Sequence, residues 1–314
     1  MAGCEMKICV TGGAGFIGSN LVDALLGKGF RVTVLDNFST GKRKNLEQCA
    51  GNPLFELIEG DIRDFEMCKC AVEGCDYVFH EAALGSVPRS IANPQASLEV
   101  NVQGFCNMIE AARLAGVKRF IYASSSSVYG NDPHLPKVET FTGNALSPYA
   151  LSKQMDEKIA ENYNRVYGFE TIGLRYFNVF GRRQDPEGAY AAVIPKFIMA
   201  VLRRERPVIN GDGSVSRDFT YIDNVIQANL RCMETEFSNT VYNIACGDRT
   251  TLNQLFEYIS EGTGIEAVYG PVRKGDIPHS LADISKAAKE LQYVPEVDIR
   301  TGLQLTREWY QKNL

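Results

Sequence analysis

Short apolar or alternating segments are separated by helical stretches through the first half of the chain. Such alternation is typical of a parallel sheet covered by helices on both faces. Right-handed crossovers then give a doubly wound, Rossmann-type α/β fold. The predicted strands are 7–11, 31–35, 54–59, 76–80, 119–124 and 170–175, and the predicted helices include 16–28, 95–115 and 149–167.

The rhythm changes after about residue 180, where loops and Pro, Gly and Arg become more frequent. One further apolar segment, VYNIA at 241–245, has the pattern of a buried strand and is expected to return to the main sheet. We therefore predict two interleaved units. A nucleotide-binding domain covers 1–178 with 216–246 returning to it, and a smaller α/β substrate domain is formed by 179–215 and 247–314.

Composition narrows the functional classes. The 314 residues are 45% apolar and 23% charged, as in an ordinary globular protein, and can bury a sizeable core. A formal net charge of −5 argues against bulk affinity for nucleic acid. No apolar segment is long enough to span a bilayer, and the N-terminus lacks a secretory pattern. Nine scattered cysteines without a CxxC pair fit reduced thiols and no metal site, so we expect a cytoplasmic protein.

A glycine-rich turn, TGGAGFIG at 11–18, connects the first predicted strand and helix. Gly12, Gly15 and Gly18 let the backbone approach a pyrophosphate, and the helix that starts near Phe16 directs its N–H groups towards it. Asp36 ends the second strand, where a carboxylate binds ribose hydroxyls and repels a 2′-phosphate, which favours NAD over NADP. Asp61 ends the third strand and either reaches the adenine amine or caps the next helix.

Tyr149 and Lys153 lie four residues apart in SPYALSK and therefore on one face of a helix. A free tyrosine is a poor base, but a nearby ammonium favours its phenolate. The segment SSSSVYG at 124–130 follows a predicted strand, at the sheet edge where doubly wound folds bind ligands. Its hydroxyls can contact a reacting alcohol. Together these residues indicate oxidation of an alcohol by a nicotinamide cofactor.

Over its full length the chain resembles the extended short-chain dehydrogenase/reductases, which form the NAD-dependent epimerase/dehydratase family. Within that family it is most similar to the UDP-sugar 4-epimerases, and among them to UDP-N-acetylglucosamine 4-epimerases. The motifs that carry the resemblance are TGGAGFIG, DNFSTG, GDIRD, HEAA, SSSSVYG, YALSK, RYFNVFG, SRDFTYIDNV and GDIPHSLADISKA. The resemblance implies that Ser125, Tyr149 and Lys153 are the catalytic residues.

The resemblance also implies two binding sets. The cofactor set is Gly12, Gly15, Phe16, Ile17, Gly18, Asp36, Asn37, Ser39, Thr40, Gly41, Asp61, Ile62, Ala82, Ala83, Asn101, Ser124, Tyr149, Lys153 and Phe177. The UDP-sugar set is Gly85, Ser86, Ser125, Ser126, Tyr149, Asn178, Ala192, Val193, Val208, Asn210, Arg217, Arg273, Asp276 and Ser280. Arg217 and Arg273 are expected to bind the diphosphate and Asp276 the ribose, because a planar guanidinium grips phosphate oxygens in two places.

Two positions narrow the expected reaction. Related dehydratases carry Asp-Glu where this chain has Ser126 and Ser127, and related decarboxylases carry Glu at the position of Ser127. The serines therefore argue against both a dehydratase and a decarboxylase. Ser280 matches a site near the sugar C2 substituent that is a bulky Tyr in epimerases restricted to glucose and galactose. The small residue, with Gly85 and Ser86, favours UDP-GlcNAc and UDP-GalNAc.

Several alternatives stay open from the sequence. The enzyme could act on UDP-Glc and UDP-Gal as well, mainly on that pair, or on UDP-uronic acids. It could also be another NAD-dependent modifier of sugar nucleotides, or a non-catalytic NAD-binding regulator, although the Ser-Tyr-Lys set is intact. Helices 95–115 and 149–167 resemble those that pair in the dimers of this family, so we expect a homodimer.

Overall fold

The fold is described from a computed structural model, which covers residues 6–188, 191–272 and 279–313. The strands are β1 (Lys7–Thr11), β2 (Arg31–Asp36), β3 (Phe55–Glu59), β4 (Tyr77–His80), β5 (Arg119–Ser125), β6 (Thr171–Tyr176), β7 (Val179–Phe180), β8 (Val208–Asn210), β9 (Ser216–Arg217), β10 (Thr220–Tyr221), β11 (Thr240–Ile244), β12 (Thr250–Thr251) and β13 (Val268–Gly270).

Helices alternate with these strands along the chain. The α-helices are α1 (Phe16–Gly27), α2 (Phe65–Val72), α3 (Val87–Ala92), α4 (Pro94–Leu98), α5 (Gly104–Leu114), α6 (Pro148–Tyr167), α7 (Val193–Leu202), α8 (Ile222–Glu234), α9 (Leu252–Ser260), α10 (Ser285–Leu291) and α11 (Ile299–Asn313). Two 3₁₀ helices, Arg43–Cys49 and Ser126–Tyr129, and a π-helical turn, Glu99–Gln103, complete the helical elements of the described ranges.

The central sheet has seven strands within the part of the chain that the structure describes, in the order β11-β6-β5-β4-β1-β2-β3. All of its pairs are parallel. Five of the strands are almost wholly buried, because helices cover both faces and no polar alternation is needed. The expected doubly wound α/β fold is therefore confirmed, and the strand at 240–244 does join the sheet, beside β6.

The strand order reverses between β1 and β4, which are neighbours in the sheet although β2 and β3 lie between them in the chain. At such a switch point the two following loops leave in opposite directions and open a crevice at the carboxyl ends of the strands. Gly12 follows β1 and Glu81 follows β4, so the glycine turn and the HEAA segment form the walls of this crevice.

Shorter strand pairs extend the fold on the side of β6 and β11. Pair β7–β10 is parallel, β9–β12 is antiparallel, and β8–β13 is parallel. Helices α7, α9 and α11 pack against one another beside these pairs, and their buried faces continue the core that also contains α1 and α8. The division into two domains stays a prediction.

One predicted helix is interrupted by a π-helical turn. The segment 95–115 is not a single α-helix: α4 continues through the π-helical turn into α5. The wider turn places Asn101 inside the protein, where its side chain is 1% exposed. Gly104 follows and packs closely against Ile62: a Cβ atom on Gly104 would lie 2.5 Å from the Ile62 Cδ1 atom. No helix in the described ranges is long and apolar enough to cross a membrane.

Candidate active site

The glycine turn is closely packed at the switch point. Gly12 has a φ of +67°, and a Cβ atom there would lie 2.8 Å from the backbone nitrogen of Ala82. A Cβ atom on Gly18 would lie 2.2 Å from the carbonyl oxygen of Gly12. Both positions therefore require glycine, and the tight turn leaves the first N–H groups of α1 facing the crevice.

A cavity of about 270 Å³ opens at this point. Its lining contains most of the predicted cofactor set, brought together from the loops after β1, β2, β3 and β4. The predicted residues in this lining are Gly12, Gly15, Phe16, Ile17, Gly18, Asp36, Asn37, Ser39, Thr40, Gly41, Ile62, Ala82 and Ala83, with Gly85 of the predicted substrate set. A glycine-lined wall beside a helix N-terminus fits the pyrophosphate of a dinucleotide.

Asp36 is held at the far wall of this cavity. Its two carboxylate oxygens accept backbone N–H groups, from Ala14 at 2.9 Å and from Phe38 at 2.8 Å. Burial raises the pKa of Asp36, and the two amide hydrogen bonds lower it by a smaller amount. Because each carboxylate oxygen can accept more than one hydrogen bond, both can still receive ribose hydroxyls.

Asp61 lies outside the lining of the cavity. Its carboxylate accepts hydrogen bonds from Arg63 and, at 2.8 Å, from the Asn37 side chain. The Arg63 hydrogen bond is the main reason that its pKa is lowered to about 2. The alternative that Asp61 caps the next helix is wrong: Asp64 caps α2 by accepting the amides of Glu66 and Met67.

Three other residues of the predicted cofactor set are committed to protein contacts. Asn101 accepts the amide of Leu84 at 2.8 Å and donates to the Ser152 hydroxyl at 3.0 Å, so it fixes the loop that carries the cavity wall. Ser124 donates to Glu157 at 2.6 Å. Phe177 is fully buried and packs against Tyr129. Their predicted contact with the cofactor stays a prediction.

Helix α6 presents the Tyr-Lys pair. Ser147 caps its N-terminus by accepting the Ala150 amide at 3.1 Å, and Pro148 occupies the first turn, where no N–H is needed. Lys153 is 2% exposed, and its Nζ atom donates to the Ala123 carbonyl oxygen at 2.9 Å. That carbonyl belongs to β5, two residues before Ser125. The helix therefore docks its lysine on the strand that ends in the predicted catalytic serine.

The charges around Lys153 keep it protonated. Burial lowers the pKa of Lys153, but the nearby Asp156, Tyr149 and Glu81 outweigh burial, and the pKa lies above its usual value. His80 is buried beside it, and burial together with Lys153 lowers the His80 pKa to about 3. An imidazole in this position is therefore neutral at physiological pH.

Glu81 is a second carboxyl group close to Lys153, and it belongs to the cavity lining. It accepts the Tyr176 hydroxyl at 2.8 Å, and the Asn229 amide in turn donates to the Tyr176 oxygen at 2.9 Å. Burial raises the pKa of Glu81 to about 7. Glu81 belongs to the HEAA motif, but no function of its carboxyl group is predicted from the sequence.

The serine run leaves β5 at its carboxyl end. The Ser125 oxygen accepts the Ser127 amide at 3.1 Å, which turns the chain into the 3₁₀ helix. Ser125 and Ser126 are partly exposed, whereas the Ser127 hydroxyl oxygen is buried and has no hydrogen-bond partner within the described part of the chain. The run thus offers hydroxyl groups and no carboxylic acid at the strand end.

Behind this run lies a buried ion pair that sequence reasoning left out. Arg175 on β6 donates to both oxygens of Glu157, each at 2.8 Å, and Glu157 also accepts the Ser124 hydroxyl. Arg175 continues to the Tyr129 hydroxyl at 3.0 Å, which donates to Asn243 at 2.6 Å. The pair could have been predicted from Arg175, because an arginine in a buried strand needs a partner for its charge.

A second cavity of about 280 Å³ collects much of the predicted substrate set. Its lining includes Asn178, Ala192, Val193, Asn210 and Arg217. Val208 lies two residues before Asn210 on β8 but is 56% exposed and outside this lining. An arginine beside two amides and an apolar wall fits an anionic diphosphate with an attached ring.

Asp218 joins segments that lie far apart in the chain, next to Asn178 of the second cavity. Its buried carboxylate accepts the amides of Cys246 at 2.9 Å, Gly247 at 3.1 Å and Ala282 at 3.2 Å. Burial raises its pKa to about 7, against the effect of these amides. Its own carbonyl accepts the Asn178 side chain at 2.9 Å. No local pattern around Asp218 predicts this role, because residues 246, 247 and 282 are distant along the chain.

Ser280 lies next to the strand that carries Arg217. Its amide donates to the Ser216 carbonyl at 3.1 Å, and the side chains of Ser216 and His279 share a hydrogen bond of 2.8 Å. Ser86 caps α3 by accepting the Arg89 amide at 3.3 Å and has a φ of +124°. The predicted diphosphate and ribose residues Arg273 and Asp276 lie outside the described residues.

A glycine-lined dinucleotide crevice, with a Ser-Tyr-Lys set at the end of the neighbouring strand, defines a nicotinamide-dependent enzyme of the short-chain dehydrogenase/reductase type. The family model described as the NAD dependent epimerase/dehydratase family matches residues 8–245. The chain therefore belongs to this family, and NAD is its cofactor, as expected.

Individual relatives are similar over nearly the whole chain. The UDP-glucose 4-epimerase of Mycolicibacterium smegmatis is 36% identical, with 98% of this chain and 99% of the relative covered. The Thermotoga maritima UDP-glucose 4-epimerase, solved with UDP-glucose, is 41% identical with a TM-score of 0.93, covering 98% of this chain and 99% of that one.

A UDP-N-acetylglucosamine 4-epimerase from Methanobrevibacter ruminantium M1, solved in complex with UDP-N-acetylmuramic acid, is equally similar. It is 40% identical with a TM-score of 0.95, and 99% of each chain is covered. The expected resemblance to NAD-dependent UDP-sugar 4-epimerases is confirmed.

Proposed function

We propose that the protein interconverts the C4 epimers of a UDP-hexose, preferentially UDP-GlcNAc and UDP-GalNAc. The observation that carries the preference is Ser280, a small side chain held beside the strand of Arg217 by the Ser216 carbonyl. Because the neighbouring Arg217 lines the second cavity, a small residue at position 280 would leave room that a tyrosine ring would fill. The similarity to a UDP-N-acetylglucosamine 4-epimerase supports the same preference.

In the proposed reaction, Tyr149 is the base. The Lys153 ammonium favours its phenolate, which takes the proton from the sugar 4-hydroxyl while Ser125 donates a hydrogen bond to the same oxygen. Gly12, Gly15, Gly18 and Asp36 would hold NAD, which would supply the acceptor and then the donor of the hydride at sugar C4. Tyr149 then gives its proton back to the oxygen of the epimerised sugar, so no net oxidation remains.

The remaining requirement is that both faces of the transient 4-keto sugar can be presented in turn. Arg217, with Asn178 and Asn210 in the second cavity, is suited to hold the nucleotide diphosphate while the sugar turns. Ser126 and Ser127 supply no acid or base for elimination of water. The chemistry therefore stops at the ketone and reverses.

A panel of UDP-sugars tests this proposal. Purified protein is incubated with UDP-GlcNAc, UDP-Glc and UDP-glucuronic acid in turn, and the approach to each C4 equilibrium is measured by NMR. We expect turnover of the N-acetylated pair, and Ser280→Tyr to remove it selectively. Ser280→Ala is the matched control, because it keeps the site small. Turnover of only the plain hexoses or only the uronic acids would contradict the preference.

The same assay separates the other classes. Net release of NADH with substrate would indicate an oxidoreductase instead of an epimerase. Cofactor binding without turnover of any UDP-sugar would favour a regulator.

Homodimer formation also remains a prediction. It is supported by the apolar side chains of Ile91, Leu151 and Met155, which are exposed on the adjoining helices α3 and α6.

A further inference from the structure

Asp156 is a buried carboxylate placed behind the Tyr-Lys pair. It is 0% exposed, and its Oδ2 atom accepts a hydrogen bond from Lys153 Nζ at 3.2 Å. Its other oxygen, Oδ1, has no hydrogen-bond partner among the residues that the structure describes. The Lys153 ammonium donates a second hydrogen bond to the Ala123 carbonyl at 2.9 Å. One of its three N–H groups therefore stays available for a partner other than Asp156 and Ala123.

We propose that Asp156 is a positioning residue that decides where one shared proton resides, holding it on Lys153 so that Tyr149 is left as the phenolate. The proposal rests on the role of Tyr149 as the base in the proposed function. It concerns a residue that touches neither sugar nor cofactor and acts through Lys153.

One proton can lie on either Lys153 or Tyr149. Protonated Lys153 with ionised Tyr149, and neutral Lys153 with neutral Tyr149, carry the same number of protons, so pH alone does not change their ratio. Burial disfavours the charged pair, because a desolvated ammonium readily loses its proton. The Asp156 carboxylate reverses this preference, since it gives the ammonium a charge-assisted hydrogen bond.

The other groups around Asp156 do not replace it. On α6, Glu157 is already paired with Arg175. Cys106 on α5 has a pKa raised by burial and by Asp156, and burial raises the Tyr122 pKa as well, so both are neutral.

The groups that face Lys153 from β4 and the loop after it are His80, which is neutral, and Glu81. Burial raises the pKa of Glu81 to about 7 and that of Asp156 to about 6. Glu81 accepts the Tyr176 hydroxyl at 2.8 Å, whereas Asp156 accepts a proton of the Lys153 ammonium itself at 3.2 Å. Asp156 is therefore the carboxyl group bonded to the ammonium.

The phenolate can be measured directly. The near-ultraviolet phenolate absorbance of the NAD-loaded protein is compared with that of Tyr149→Phe, and Asp156→Asn is compared with the double variant. At neutral pH we expect Asp156→Asn to lose about tenfold or more of the Tyr149 phenolate, the size expected for a charge-assisted hydrogen bond. Its kcat should fall in the same proportion, while KM changes little.

Further variants complete the test. Glu161→Gln removes an exposed carboxylate from the same helix and should leave the phenolate unchanged. Asp156→Glu keeps a carboxylate beside Lys153 and should keep most of the phenolate. Asp156→Ser removes the carboxylate and decides the matter if Asp156→Asn does not fold.

An unchanged phenolate in Asp156→Asn or Asp156→Ser would overturn the proposal. Failure of the proposed function is a separate result, namely no turnover of any UDP-sugar, and the absorbance measurement does not depend on turnover.

Discussion

Replacing Glu157 by alanine tests how the end of β5 is held in place. The substitution removes both hydrogen bonds from Arg175 and the acceptor of Ser124. Arg175 is 3% exposed in its side chain, so its charge would stay buried with the Tyr129 hydroxyl and the Glu139 carbonyl as its remaining partners among the described residues. Breaking a buried pair from one side costs about 3–5 kcal/mol, because one charge is left uncompensated.

The loss should be visible in thermal unfolding. With an unfolding entropy of about 2.1 cal/mol/K per residue over 314 residues, a loss of about 4 kcal/mol lowers Tm by about 6 °C. Catalysis should suffer in the variant that still folds, since Ser124 precedes Ser125 and a displacement of about 1 Å can cost about a hundredfold in rate. We expect kcat to fall by about tenfold to a hundredfold with a smaller change in KM.

Two variants provide the controls. Glu161→Ala removes an exposed carboxylate of the same helix and should cost no more than about 1 kcal/mol. Glu157→Met combined with Arg175→Met removes both charges and should recover more than half of the lost stability. A Glu157→Ala protein that unfolds at the temperature of the Glu161→Ala control would refute the reasoning.

Two further predictions concern the cavities. Gly18→Val should weaken NAD binding by about tenfold or more in calorimetric titration, because the valine side chain would overlap the Gly12 carbonyl. The control Gly27→Ala has open space around the added Cβ atom and should bind NAD normally. Asp218 has a folded-state pKa of about 7, above its unfolded value, so its contribution to stability is fully present at low pH and is lost as pH rises through about 7. Relative to Asp218→Asn, the wild-type unfolding free energy should therefore decrease between pH 4 and 7; a constant difference would contradict this assignment.

The cofactor crevice could be predicted from local sequence because its geometry is local. A glycine turn between a strand and a helix fixes where Gly12, Gly15 and Gly18 lie, and a strand end fixes Asp36. These residues do line one cavity. The Tyr-Lys pair likewise depends only on helical spacing.

The supporting network could not be predicted in the same way. Arg175 and Glu157 meet across β6 and α6, and Asp218 binds amides of residues 246, 247 and 282, which only the folded chain brings together. A π-helical turn, for which the sequence has no clear signal, directs the Asn101 side chain to Leu84 and Ser152, so these contacts could not be predicted either.

In the proposed reaction, Tyr149 takes the 4-hydroxyl proton, and the hydrogen at sugar C4 leaves and returns as the same atom. NMR of UDP-GlcNAc incubated with the NAD-loaded enzyme in D₂O tests this most directly. We predict conversion to UDP-GalNAc with hydrogen, not deuterium, retained at C4 and without accumulation of NADH. Deuterium at C4, stoichiometric NADH release, or no C4 epimer of any UDP-sugar would contradict the account.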